Sequence, residues 1–114
     1  MSVILINNLQ DFNTTIQDNQ YVVVIFSAGF CNPCKDISPF INEQAEKNTE
    51  IKFIKVDIEE GCDISDKYNI QSIPHFKFFK NNNELISFSG ANKQFIIESI
   101  EKIKLNVSPT ENLD

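Results

Sequence analysis

The segment Tyr21-Val22-Val23-Val24-Ile25-Phe26 limits the possible folds more than any other part of the chain. A continuous, β-branched apolar run without alternation reads as a strand buried on both faces, at the centre of a sheet covered from each side. The flanking segments supply the cover. Upstream, Val3 to Ile6 is a short apolar run. Asn8 then stands at a capping position before Leu9, Phe12 and Ile16, which recur at helical spacing as far as Gln17. Downstream, a helix is expected from about Cys31 to Asn48, with Ile37, Phe40, Ile41 and Ala45 toward the core and a kink at Pro39. Ile51 to Asp57 reads as the next strand, with Phe53 and Ile54 inside, and a short helix follows near Asp63 to Tyr68. Pro74 opens a strand through Lys80, and Asn81-Asn82-Asn83 turns it into a partner from Glu84 to Phe88. Gly90 breaks that strand, by a bulge or a positive φ. A last amphipathic helix runs from about Asn92 to Leu105, with Phe95, Ile96, Ile100 and Ile103 on one side.

This order, βαβαβα followed by a hairpin and a helix, is an α/β pattern with helices on both faces of one sheet. The terminal hairpin makes the sheet mixed. No repeat or linker interrupts the pattern, so one domain is expected over residues 1–105, with a frayed polar tail over 106–114. A chain of 114 residues can bury a core without metals or cross-links.

Composition narrows the partners. Ten basic and sixteen acidic residues give a net charge of −6, which argues against nucleic acid or an anionic membrane as the main partner. No apolar run approaches a membrane span, and the N-terminal residues resemble neither a secretory signal nor a transit peptide, so the expected compartment is the cytoplasm. Three cysteines are too few for a secreted disulfide scaffold.

The chemistry is expected in Phe26-Ser27-Ala28-Gly29-Phe30-Cys31-Asn32-Pro33-Cys34-Lys35. A Cys-x-x-Cys between a buried strand and a helix points to redox work, whereas the bare motif also serves zinc. Cys31 is expected at the helix N-terminus, where unpaired amides and the macrodipole favour a thiolate, the reactive form of the sulfur. Cys34 lies one turn on, within reach of a disulfide, and Pro33 stiffens the first turn at little cost. Cys31 is then the nucleophile that forms a mixed disulfide, and Cys34 the resolving thiol that attacks the Cys31 sulfur and releases reduced substrate.

From these residues outward the chain resembles a thioredoxin of the eukaryotic type, over about residues 3–105. The stretches that carry the resemblance are Val22-Val23-Val24-Ile25-Phe26-Ser27-Ala28, Cys31-Asn32-Pro33-Cys34-Lys35, Pro39-Phe40, Val56-Asp57, Ile73-Pro74, Phe78-Phe79-Lys80 and Phe88-Ser89-Gly90-Ala91-Asn92-Lys93. The resemblance implies the thioredoxin fold: a central mixed five-stranded sheet flanked by four helices. It also implies reduction of disulfides in other proteins, with electrons from an NADPH-linked thioredoxin reductase and no bound cofactor. Ile73-Pro74 falls on the family's cis-proline loop, which leaves the backbone of Ile73 free for an incoming peptide and keeps metal from the sulfurs. The implied substrate face comprises Gly29, Phe30, Asn32, Pro33, Ile73, Pro74, His75 and Ala91, and the protein is expected to be a monomer.

Four positions depart from the family. Phe30 replaces Trp and loses the indole donor, and Asn32 replaces Gly between the cysteines. Ile25 stands where the family has a buried Asp that helps move the proton of the second cysteine. Isoleucine accepts no proton, so slower catalysis is expected, while its packing avoids a costly buried carboxylate. His75, the one histidine, stands where the family has Thr. It either tunes the Cys31 thiolate and shuttles a proton in place of the Asp, or turns to solvent or a neighbouring helix. Cys62 is read as a regulatory thiol open to glutathione or an intermolecular disulfide or, more simply, as a partly buried thiol near a helix start. Cys31, Cys34, Cys62 and His75 match no structural zinc spacing, and no metal is expected. Lys55, Asp57, Glu59 and Glu60 read as a solvated strand end. The competing function is an adaptor or redox-regulated binding module of the same fold with little reductase activity. A disulfide isomerase or oxidant is a third reading.

Overall fold

In a computed structural model that describes residues 3–105, the core is divided by a five-stranded sheet. The strands are β1 (Val3–Leu5), β2 (Tyr21–Ser27), β3 (Lys52–Asp57), β4 (His75–Lys80) and β5 (Asn83–Ser89). The helices are α1 (Leu9–Asp18), α2 (Asn32–Lys47), α3 (Cys62–Lys67) and α4 (Lys93–Lys104). In space the strands run β1-β3-β2-β4-β5, with β1, β3 and β2 parallel and β4 and β5 antiparallel. The mixed sheet and four helices are thus those expected, and the expected tail over 106–114 lies outside the described residues.

Strand β2 is central, and Val22 to Ser27 are all buried. Alternate side chains feed two cores. Val23 and Ile25 join Ile37, Ile41 and Ala45 of α2, and Ile96, Ile100 and Ile103 of α4. Val22, Val24 and Phe26 join Phe12 and Ile16 of α1 and Ile64 of α3 on the other face. The helices begin where side chains satisfy free amides: Asn8 Oδ1 accepts from the Asp11 N–H at 2.8 Å and Asn92 Oδ1 from the Phe95 N–H at 3.0 Å.

Several details differ from the sequence reading. β1 is an edge strand, so Ile4 and Leu5 are exposed, and burial returns only at Ile6. Phe40 of α2 is only half-buried and packs against the core rather than within it. Phe95 is exposed rather than core, although its ring lies 4.3 Å from that of Phe88. The hairpin turn is the pair Asn81 and Asn82, both at positive φ, and Asn83 already belongs to β5. Two left-handed residues match the twist of the strands they join, which is why asparagine suits both places. Gly90, at φ +102°, ends β5, and its N–H donates to the Pro74 carbonyl at 2.9 Å.

Candidate active site

The C-terminal end of β2 delivers the cysteines. The chain leaves the sheet at Ser27, Ala28 stays buried, and Gly29 and Phe30 emerge into solvent. Phe30 is 67% exposed, a large apolar ring presented to solvent. The Cys31 N–H donates to the Ala28 carbonyl at 3.2 Å, closing this turn just before α2 starts. Cys31 is itself the N-cap: its Sγ accepts from the Cys34 N–H at 3.2 Å. Asparagine or serine oxygen usually fills this place, and here a sulfur does so.

Cys31 and Cys34 form a disulfide with Cα atoms 5.3 Å apart. Both are buried and cluster with Ala28, and Ile58 and Ile73 pack against them. The Cys34 amide that meets Cys31 Sγ in the disulfide is a ready hydrogen-bond donor for a thiolate after reduction. Such a bond, added to the helix terminus, lowers a thiol pKa. Opposite lies the Ile73–Pro74 peptide, which is cis, with Pro74 buried and Ile73 half-buried. Among the described residues the backbone N–H and C=O of Ile73 have no hydrogen-bond partner. Gly29, Phe30, Asn32, Pro33 and Ala91 are all exposed.

His75 goes elsewhere. In the β2–β4 register it stands opposite Phe26, and its ring meets the Phe26 ring edge-on at 6.1 Å between centroids. Its Nε2 lies 2.9 Å from Ser87 Oγ. That hydroxyl also accepts from the buried ammonium of Lys77 at 3.1 Å, which pairs with Glu84 at 3.0 Å. Burial, together with Lys77, holds the His75 pKa below the ordinary histidine value, with Glu84 opposing. A neutral ring accepts at Nε2 from Ser87. Phe26 and Ile25 face opposite sides of the sheet, so the sheet stands between this imidazole and Ile25. Cys62 is the first residue of α3 and is exposed, not partly buried. Gly61 before it takes up the tight space against β3. Among the described residues no three His, Cys, Asp or Glu side chains gather as a metal site would require.

Ile25 is buried and, together with Cys34, lines a cavity of about 260 Å³. Its walls include Leu5, Ile37 and Ile41, with Ser27, Ser38, Asn42 and Lys55 as the polar members. A wider recess of about 550 Å³ shares Leu5, Ser27, Cys34, Ser38, Asn42 and Lys55 and adds Lys35 and Asp57. Lys55, expected as part of a solvated strand end, lines both the cavity and the recess. One signal was available: Ser38 and Asn42 follow Cys34 at four and eight residues, on one helix face. That Lys55 joins them follows from its register opposite Ile25.

A dithiol pair capping a helix, at the end of the central strand of an open α/β sheet and facing a proline loop, defines a thiol–disulfide exchange protein. The thioredoxin family model matches residues 3–102. Thioredoxin 1 of Plasmodium falciparum is 38% identical over 98 residues, covering 86% of this chain and 94% of that protein. A thioredoxin of Ophiophagus hannah is 35% identical over 100 residues, with 86% and 95% covered. The X-ray structure of Fasciola hepatica thioredoxin superposes with a TM-score of 0.86 at 31% identity, covering 89% of this chain and 99% of that one. The chain belongs to the thioredoxin family. It is a small disulfide oxidoreductase, and Cys31 and Cys34 are its redox pair.

Proposed function

We propose that Cys31 is the nucleophile and Cys34 the resolving thiol in the reduction of disulfides in other proteins. The Cys31 thiolate attacks a substrate sulfur, forms the mixed disulfide and expels one substrate thiolate. Cys34, deprotonated, then attacks Cys31 Sγ, expels the second substrate thiolate and closes the Cys31–Cys34 disulfide. The observation that carries this order is Cys31 as the cap of α2, its sulfur against the Cys34 N–H. Protein substrates meet the apolar face of Gly29, Phe30, Ile73 and Ala91, with Asn32 and Pro33 at its edge, and an extended segment pairs with the backbone of Ile73 beside Pro74. His75 supports this face from within the sheet. Electrons return from NADPH through a thioredoxin reductase, and the protein works as a cytoplasmic monomer. No helix among the described residues is long and apolar enough to cross a membrane.

The experiment is reduction of insulin with NADPH and a thioredoxin reductase. Turnover is expected in the wild type and lost in Cys31→Ser, while Cys34→Ser accumulates a mixed disulfide on Cys31. A Cys34→Ser protein that carries no such adduct overturns the order of attack. Ile25, which leaves Cys34 without a carboxylate neighbour in its cavity, favours a second reading, an adaptor or redox-regulated binding module. Stable binding of a disulfide-containing partner, with no insulin turnover and both cysteines intact, decides for it.

A further inference from the structure

Four side chains of β4 and β5 form a polar cluster that the redox pair does not use. The pairing sets Lys77 opposite Ser87 and His75 opposite Ser89, so His75, Lys77 and Ser87 share one face of the sheet. Lys77 is 6% exposed, and its ammonium bonds to Glu84 at 3.0 Å and to Ser87 Oγ at 3.1 Å, with the Tyr68 ring 5.3 Å away. Glu84 by itself neutralises the buried charge; Ser87 is held in addition. An ammonium has only donors, so Ser87 Oγ is the acceptor of that bond and its own proton is free for another. At 2.9 Å stands His75 Nε2, whose lone pair takes it. A hydroxyl aimed at an imidazole nitrogen at this distance is the pairing of a nucleophile with a general base. Burial and the Lys77 charge favour the neutral, basic form of the ring, against the opposing pull of Glu84. Lys77 also holds positive charge where an alkoxide would develop, and its third N–H has no hydrogen-bond partner among the described residues. Ser87 itself is exposed on β5, an edge strand, where a small molecule can reach it.

We propose that Ser87 and His75 are the nucleophile and general base of a second activity, the hydrolysis of small thioesters and aryl esters. Ser87 Oγ attacks the acyl carbonyl while its proton passes to His75 Nε2. The tetrahedral intermediate collapses, the leaving thiol or phenol departs with that proton, and the acyl group stays on Ser87 as an ester. Water then attacks this ester with His75 as base, and the carboxylic acid leaves as Ser87 regains its proton. No electrons are exchanged, so the reaction runs with the Cys31–Cys34 disulfide closed. The limit to good leaving groups follows from what the pair lacks. Among the described residues no carboxylate orients the imidazole at its other nitrogen, so amides and alkyl esters receive too little help.

The probe is p-nitrophenyl acetate, given to the Cys62→Ser protein with Cys31 and Cys34 oxidised, so that no thiol competes. Steady nitrophenolate release beyond one equivalent is expected, with an acetyl group located on Ser87 by peptide mass spectrometry. Ser87→Ala and His75→Gln are each expected to lower that release by roughly ten-fold or more. Ser87→Thr, which keeps the hydroxyl, is expected to stay within about five-fold of the parent. Unchanged circular dichroism of Ser87→Ala separates a lost pair from a lost fold. The parent rate is expected to climb from about pH 5 to about pH 7.5 as His75 loses its proton, a step absent from His75→Gln. Equal release by Ser87→Ala, or acetyl on lysines alone, overturns the nucleophile. Acetylation of Ser87 that is as fast in His75→Gln overturns the base, and a burst that ends at one equivalent overturns hydrolysis.

Discussion

Replacing Ile25 by aspartate restores a carboxylate to the cavity that Cys34 lines and separates what the isoleucine contributes to folding from what it costs in rate. The residue is 5% exposed, sits between β3 and β4 on the central strand, and shares its cavity with Cys34. Burial of an isoleucine is worth about 1.5–3 kcal/mol, and a buried polar group without a full set of partners costs about 1–3 kcal/mol more. The expected loss is therefore about 3–6 kcal/mol, a large part of the roughly 5–15 kcal/mol that holds a domain together. With a urea slope of about 1.5 kcal/mol/M, the unfolding midpoint falls by about 2–4 M. Burial raises the new carboxyl pKa, so the loss is smallest below the ordinary aspartate value and grows as pH rises through the folded one. The same raised pKa makes Asp a competent base toward Cys34 near neutrality. Resolution of a preformed Cys31 mixed disulfide with nitrothiobenzoate, followed by stopped flow, is expected to speed up by about ten-fold or more. Ile25→Asn supplies the control, with a similar stability loss and no acceleration. If folded Ile25→Asp resolves the mixed disulfide no faster than wild type, the absence of a base at position 25 is not what limits Cys34, and the reasoning fails.

Three further outcomes follow from the packing. A methyl group at Gly61 would sit 3.0 Å from the Asp57 carbonyl oxygen and 3.0 Å from Val56 Cγ1, so Gly61→Ala is expected to cost about 1–3 kcal/mol in urea unfolding. An unchanged midpoint would show that α3 shifts freely. Asn92→Ala removes the α4 cap and should cost about 1 kcal/mol, read as a melting temperature lower by about 4–8 °C; no change would mean that water replaces the cap. His75 titrates below its ordinary value in the fold, so the unfolded chain binds the proton first on acidification. Stability therefore falls as pH drops from about 6.5 toward the lower folded pKa, below which the loss is complete. His75→Gln is expected to flatten that part of the curve between pH 7.5 and 5.5, and an identical slope in both proteins would refute the assignment.

Much of this architecture was legible because it is written in neighbouring residues. An unbroken apolar run makes β2 central, Asn8 and Asn92 announce their helices, and paired asparagines fit a left-handed turn, all through forces that act within a few residues. The redox pair belongs to the same class, since three positions on a first helical turn suffice to bring two sulfurs together. What only the tertiary structure decided concerns residues far apart in the chain. Ile25 opposite Lys55 places an amine beside the recess behind Cys34, whereas His75 opposite Phe26 turns the imidazole to the far face, toward Ser87. In a sheet, side-chain direction follows register with a period of two, so such assignments depend on strand pairing. Edge position likewise left Ile4 and Leu5 in solvent although their composition matches the core. Local sequence determined which elements form and where the sulfurs meet; strand pairing determined what surrounds them, because that depends on contacts between segments that no local pattern encodes.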